Sequence, residues 1–179
     1  MRRAAVVPLL ASLLLGGCLT PLQRAAVDGD TVKVHALLEQ GTPVDSFGSG
    51  YGGSPLIMAS MNGKQQVMRL LLDKGAKIES RTTSLGMTPL IAASGRGQTE
   101  AVRLLLDSGA DIEARDGVGQ TSLIHAVAQG KTETVRLLVE RGARIDARDR
   151  TGRSALDLAE ARGDRPTADL LRAWRGHFR

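Results

Sequence analysis

Aromatic side chains are nearly missing: Phe47, Tyr51, Trp174 and Phe178 are the only four in 179 residues. A ring-centred core is thereby excluded, and the 42% of residues that are apolar must build an aliphatic one within a single globular unit. Cysteine occurs once, at Cys18, so no disulfide can form within the chain. His35, His125 and His177 stand far apart, and no acid, base, nucleophile or metal set converges with them. Long apolar runs are scarce as well. The one candidate, Ala4 to Leu15, is too short to span a bilayer. The net charge of +5 falls to +3 if Arg2 and Arg3 are removed with a leader, which is too mild to argue for nucleic acid.

What the chain does have is a repeat. With Thr88 as position zero, the equivalent residues are Thr20, Ser54, Thr121 and Ser154, with successive spacings of 34, 34, 33 and 33 residues. A fixed period of this size marks a stacked array. Nine residues after each zero stands a glycine: Gly29, Gly63, Gly97, Gly130 and Gly163. Seventeen residues on stands Leu37, Leu71, Leu105, Leu138 or Leu171, and a further glycine follows at Gly41, Gly75, Gly109 and Gly142. The Ser or Thr at zero predicts a helix N-cap, with Pro21, Pro55 and Pro89 at the first helical position, where a missing N–H costs nothing. In the first four copies the two glycines stop the two helices by entering the left-handed region. Helices this short are marginal alone and must bury their leucines against neighbouring copies.

These segments resemble the ankyrin repeat. Its TPLHxA signature reads TPLQRAA at Thr20, SPLIMAS at Ser54, TPLIAAS at Thr88, TSLIHAV at Thr121 and SALDLAE at Ser154, and its glycine-alanine pair recurs at Gly75-Ala76, Gly109-Ala110 and Gly142-Ala143. Ile57, Ile91 and Ile124 replace the usual histidine, a scaffold residue. The resemblance implies an all-α solenoid of five helix-turn-helix repeats, at about 20–53, 54–87, 88–120, 121–153 and 154–179, with short β-hairpin-like fingers between them. The outer copies carry Gln23 and Asp157 where the inner ones have isoleucine, and Arg172 where others have leucine or valine. Polar outer faces of this kind are expected at the ends of an array.

Residues 1–17 have a basic start, an apolar run and Gly16-Gly17 before Cys18, the pattern of a secretion signal. Leu15-Gly16-Gly17-Cys18 looks like a bacterial lipobox, which implies cleavage before Cys18 and a diacylglyceryl, N-acylated cysteine there. Several acyl chains make release from a membrane slow. A lipidated thiol is also unavailable for catalysis. Leu19 stands where lipoproteins of this kind carry the aspartate that favours inner-membrane retention, so the outer membrane, facing the periplasm, is expected. Thr20 follows at once, leaving almost no tether between residues 18–19 and the repeat domain at 20–179.

The connections offer little chemistry. Gly48 to Gly53 contains a formal GxGxxG, but no buried strand precedes it, so it reads as a glycine-rich finger. Asp116 and Asp149 fall where a turn aspartate bonds its own backbone, and His125 falls at a helix-packing position. No cofactor, metal or catalytic role is expected.

What is left is a surface. In the ankyrin family the fingers and the exposed ends of the first helices line a concave side where partners bind. That resemblance marks out Phe47, Tyr51, Met61, Asn62, Leu85 and Met87 near the amino-terminal end, then Val118, Gln120 and Gln129. Arg81, Arg96, Arg115, Arg148, Arg150, Arg153 and Arg162 fall on the same stripe. The expected partner is an acidic protein with an apolar patch, because guanidinium groups pair with carboxylates and steer association. A monomeric, non-catalytic binding lipoprotein follows, for instance an immunity protein against a secreted lipase-like toxin. An assembly factor for a periplasmic enzyme or envelope complex is the alternative.

Overall fold

The structure, a computed structural model, describes residues 19–48 and 52–175. Ten helices fill these residues: α1 (Pro21–Asp28), α2 (Thr31–Glu39), α3 (Pro55–Met61), α4 (Gln65–Asp73), α5 (Pro89–Arg96), α6 (Thr99–Asp107), α7 (Ser122–Ala128), α8 (Thr132–Glu140), α9 (Ala155–Ala161) and α10 (Arg165–Arg175). The odd-numbered helices pack side by side in one row and the even-numbered in another, each pair forming a hairpin, so the chain is an all-α repeat solenoid.

Local chemistry sets each boundary. Thr20, Ser54, Thr88, Thr121 and Ser154 all accept a hydrogen bond from the amide three residues on, at 3.1 to 3.5 Å. Pro21, Pro55 and Pro89 occupy the first turn after their caps. After the second helices, Gly75, Gly109 and Gly142 lie at φ 83 to 89°. The next amides, of Ala76, Ala110 and Ala143, return to Leu71, Leu105 and Leu138 O at 2.9 Å. Those bonds satisfy carbonyls that the helix ends would otherwise leave without an intrahelical partner.

The leucines do what the period requires. Leu22, Leu56, Leu71, Leu105, Leu138 and Leu171 are fully buried, each contributing roughly 2 kcal/mol by removal from water. In the outer copies Leu37 and Leu156 are only partly buried, on the sides where no further copy packs among the described residues. Arg172 completes the polar carboxyl-terminal face through Glu160 and Asp169, both at 2.7 Å. Gln23 departs from the expected solvent-facing cap. It is fully buried, its Oε1 accepting from Thr20 N at 2.7 Å and its Nε2 donating to Gly53 O at 2.6 Å. The amide is polar to satisfy backbone groups within the stack, where an isoleucine would leave them unpaired.

Between hairpins stand four fingers: finger 1 (described at 47–48 and 52–53), finger 2 (81–87), finger 3 (115–120) and finger 4 (148–153). Backbone bonds close the last three, from Thr82 N to Met87 O, Asp116 N to Gln120 O and Asp149 N to Arg153 O, each at 3.0 Å. The described residues form no strand, only an isolated antiparallel bridge between Arg148 and Ser154, so these are hairpin-like turns without a sheet. No helix among the described residues is long and apolar enough to cross a membrane.

Candidate protein-binding surface

The stripe of arginines divides into two groups. Arg81 Nη1 donates to Gly86 O of its own finger at 2.9 Å and to Arg115 O of the next at 2.7 Å. Arg115 Nη1 repeats the pattern onto Gly119 O at 2.7 Å and Arg148 O at 2.6 Å. Arg148, with no further finger beside it among the described residues, reaches Gly152 O at 2.6 Å and Asp157 Oδ2 at 3.0 Å. Backbone amides run alongside, from Gly117 to Leu85 O at 2.7 Å and from Arg150 to Val118 O at 3.1 Å. Fingers 2, 3 and 4 are therefore tied into one plate. These three guanidiniums, expected to be free for a partner, already hold carbonyl oxygens that would otherwise face water at the loop rim. Arg153 is also engaged, with Thr151 Oγ1 at 2.8 Å and Asp149 Oδ2 at 3.5 Å.

Arg96, Arg150 and Arg162 form the second group: all are exposed and none makes an ion pair among the described residues. Apolar tips accompany them, with Phe47, Leu85 and Val118 each close to half exposed. Asn62 turns its amide onto Met58 O at 2.8 Å, and Gln120 bridges to Asp149 at 3.5 Å. Tyr51 and Cys18 lie outside the described residues.

Four of the expected contact residues meet at one place. Met61, Met87, Arg96 and Gln129 line an open cavity of about 480 Å³, joined by Ile91, Ala92, Gly95, His125 and Lys131. Lys131 was not expected there. Its stem lies across Gly97, whose φ is 73°, so closely that a Cβ on the glycine would stand 2.8 Å from Lys131 Cδ. The same relation sets Gln98 against Gly63. Both the left-handed backbone and the stem from the following copy demand glycine here.

His125 also proves to be more than helix packing. Its Nε2 lies 2.8 Å from Asp116 Oδ2, whose carboxylate is 1% exposed. The other oxygen, Oδ1, accepts from the amides of Val118 at 2.9 Å and Gln120 at 2.8 Å, so this pair clamps finger 3 to α7. In finger 4, burial pushes the Asp149 carboxyl up, but hydrogen bonds from the Thr151 hydroxyl, the amides of Arg153 and Thr151, and Gln120 outweigh it and hold the group at about 2. Asp157 is likewise held below the usual carboxylate range by the Ser154 amide and hydroxyl, reinforced by Arg148. These acids are structural. No group of three or more His, Cys, Asp or Glu suited to a metal ion occurs among the described residues.

The array of hairpins, tied fingers and an uncovered cavity with free cations is a binding geometry. No curated protein matches the chain. A family model for ankyrin repeats (3 copies) matches residues 22–116 and again residues 114–176, most of the chain. The chain belongs to the ankyrin-repeat family, whose stacked hairpins indicate a protein–protein interaction module.

Proposed function

We propose that this module is a lipid-anchored capture protein of the bacterial envelope that holds an acidic protein on its concave, finger-lined side, and that its role is immunity against a secreted lipase-like toxin. The observation that carries the acidic partner is the set of exposed arginines that make no ion pair among the described residues, Arg96, Arg150 and Arg162, of which Arg150 bonds through its amide to the apolar tip Val118. Exposed guanidiniums next to apolar anchors favour a partner that brings carboxylates to an apolar patch. The anchor rests on the sequence Leu15-Gly16-Gly17-Cys18. Lipidation at Cys18 with no tether before Thr20 would set the array against the lipid surface, most plainly the outer membrane facing the periplasm. A toxin that degrades lipid would meet its inhibitor there.

The testing experiment joins both parts. Intact mass of the mature protein should show a chain beginning at an acylated Cys18, and chemical crosslinking in whole envelopes followed by mass spectrometry should recover one acidic partner. A strain lacking the protein should die beside toxin-bearing siblings. Unimpaired survival of that strain would remove the immunity role, and an unmodified Cys18 would remove the anchor.

A further inference from the structure

We propose that the cavity at the foot of finger 2 receives an aliphatic side chain from an acidic segment of the partner protein, and that Arg96 and Lys131 hold the carboxylate beside it. This rests on the reading of the chain as a protein-binding module and narrows where and how the partner is gripped.

One side is apolar and deformable: the half-buried Met61 from the end of α3 and Met87 from finger 2, backed by the fully buried Ile91 of α5. Methionines adapt to the shape of an incoming chain. A volume of about 480 Å³ is ample for one leucine-sized side chain with its flanking backbone. The rest of the lining carries two cations beside Ala92, Gly95, His125 and Gln129. Arg96 and Lys131 line the same cavity, neither makes an ion pair among the described residues, and none of the residues lining it is acidic. Lys131 is fixed there by the packing of its stem over Gly97. Two like charges on one wall repel each other until an anion comes between them, so a carboxylate gains from both at once. The acid held against the lining residue His125 cannot serve as that anion. Asp116 is buried and committed to His125 and two backbone amides.

The test uses the full chain in detergent, labelled with carbon-13 at Met, Leu and Val methyls. It is titrated with three capped peptides: Gly-Asp-Leu-Asp-Gly, the same with both aspartates as asparagine, and the same with leucine as alanine. The acidic leucine peptide should shift the methyls of Met61 and Met87 saturably while the buried Met68 stays put. The other two peptides should bind at least about tenfold more weakly, the equivalent of losing about 1.4 kcal/mol. Arg96→Gln with Lys131→Gln should impose a similar loss, with an unchanged Met68 signal reporting an intact fold. Equal binding of the asparagine peptide, or no movement of Met61 and Met87, overturns the proposal. Should the acidic peptide instead move Leu85 and Val118, the cavity assignment fails while the protein-binding reading stands.

Discussion

In finger 1, Phe47 and Gly48 occupy the places that Arg148 and Asp149 hold in finger 4, counted back from Ser54 and Ser154 with one extra residue in the first connection. Finger 4 is braced by its aspartate, which gathers two amides and a hydroxyl, and by its arginine, which binds Gly152 O. Finger 1 has neither group. Across to finger 2 it is met by a hydroxyl, Thr83 Oγ1 to Gly52 O at 3.3 Å, where fingers 2 and 3 each send a guanidinium to the next copy. The same repeat position thus serves two ends: from finger 2 onward it fixes the plate, and in finger 1 it presents an aromatic ring to solvent. Side chains that hold the plate together cannot also be spent on a partner. On the proposed reading, residues released from that duty are the ones left for a partner.

The contrast breaks most readily at Asp149. Asp149→Ala should cost about 2 kcal/mol, since the depressed carboxyl value measures how much the folded state favours the charged form. With the unfolded value near 4 and the folded value at about 2, that stability is complete above about pH 5, fades as pH falls through 4, and is gone below 2. Asp157 acts in the same direction. Hydrogen exchange in acid should therefore expose the Thr151 and Arg153 amides early, while Gly52 and Gly53, in a finger without a carboxylate, show no matching transition.

Arg115→Ala comes next, with an expected loss of about 1 kcal/mol, because two charge-assisted bonds are removed from a solvent-exposed side chain. Urea titration reads the loss, and faster exchange of the Arg150 amide locates it at the seam with Val118 O. Grafting the brace onto finger 1, as Phe47→Arg with Gly48→Asp, should raise stability by about 0.5 kcal/mol and weaken partner binding. Smallest of all is Phe47→Ala, within about 0.5 kcal/mol in stability because the ring is 46% exposed. A larger fall would mean that finger 1 is braced through its ring.

The scaffold was legible because caps, glycines and leucines act locally or on one period. Thr20 to Ser154 announce helix starts by their own side chains, and Leu105 is buried wherever a neighbour exists. The surface was less legible. A long guanidinium at a recurring offset looks free in one copy, yet a solenoid sets the next copy's carbonyls within its reach. The clue was present: Arg81, Arg115 and Arg148 recur at one offset, the mark of a residue serving the repeat rather than a ligand. Lys131 is not marked by the sequence, because only stacking lays its stem over Gly97 of the preceding copy. Burial of Gln23 is hidden for the same reason, since Gly53 O is thirty residues away along the chain.

The central claim is that the cations left out of the finger ties bind the partner. Affinity for the crosslinked partner, measured with Arg96→Glu and Arg150→Glu combined, tests it most directly. The account predicts a fall of at least about a hundredfold with the melting temperature nearly unchanged. Binding at the original strength would contradict it.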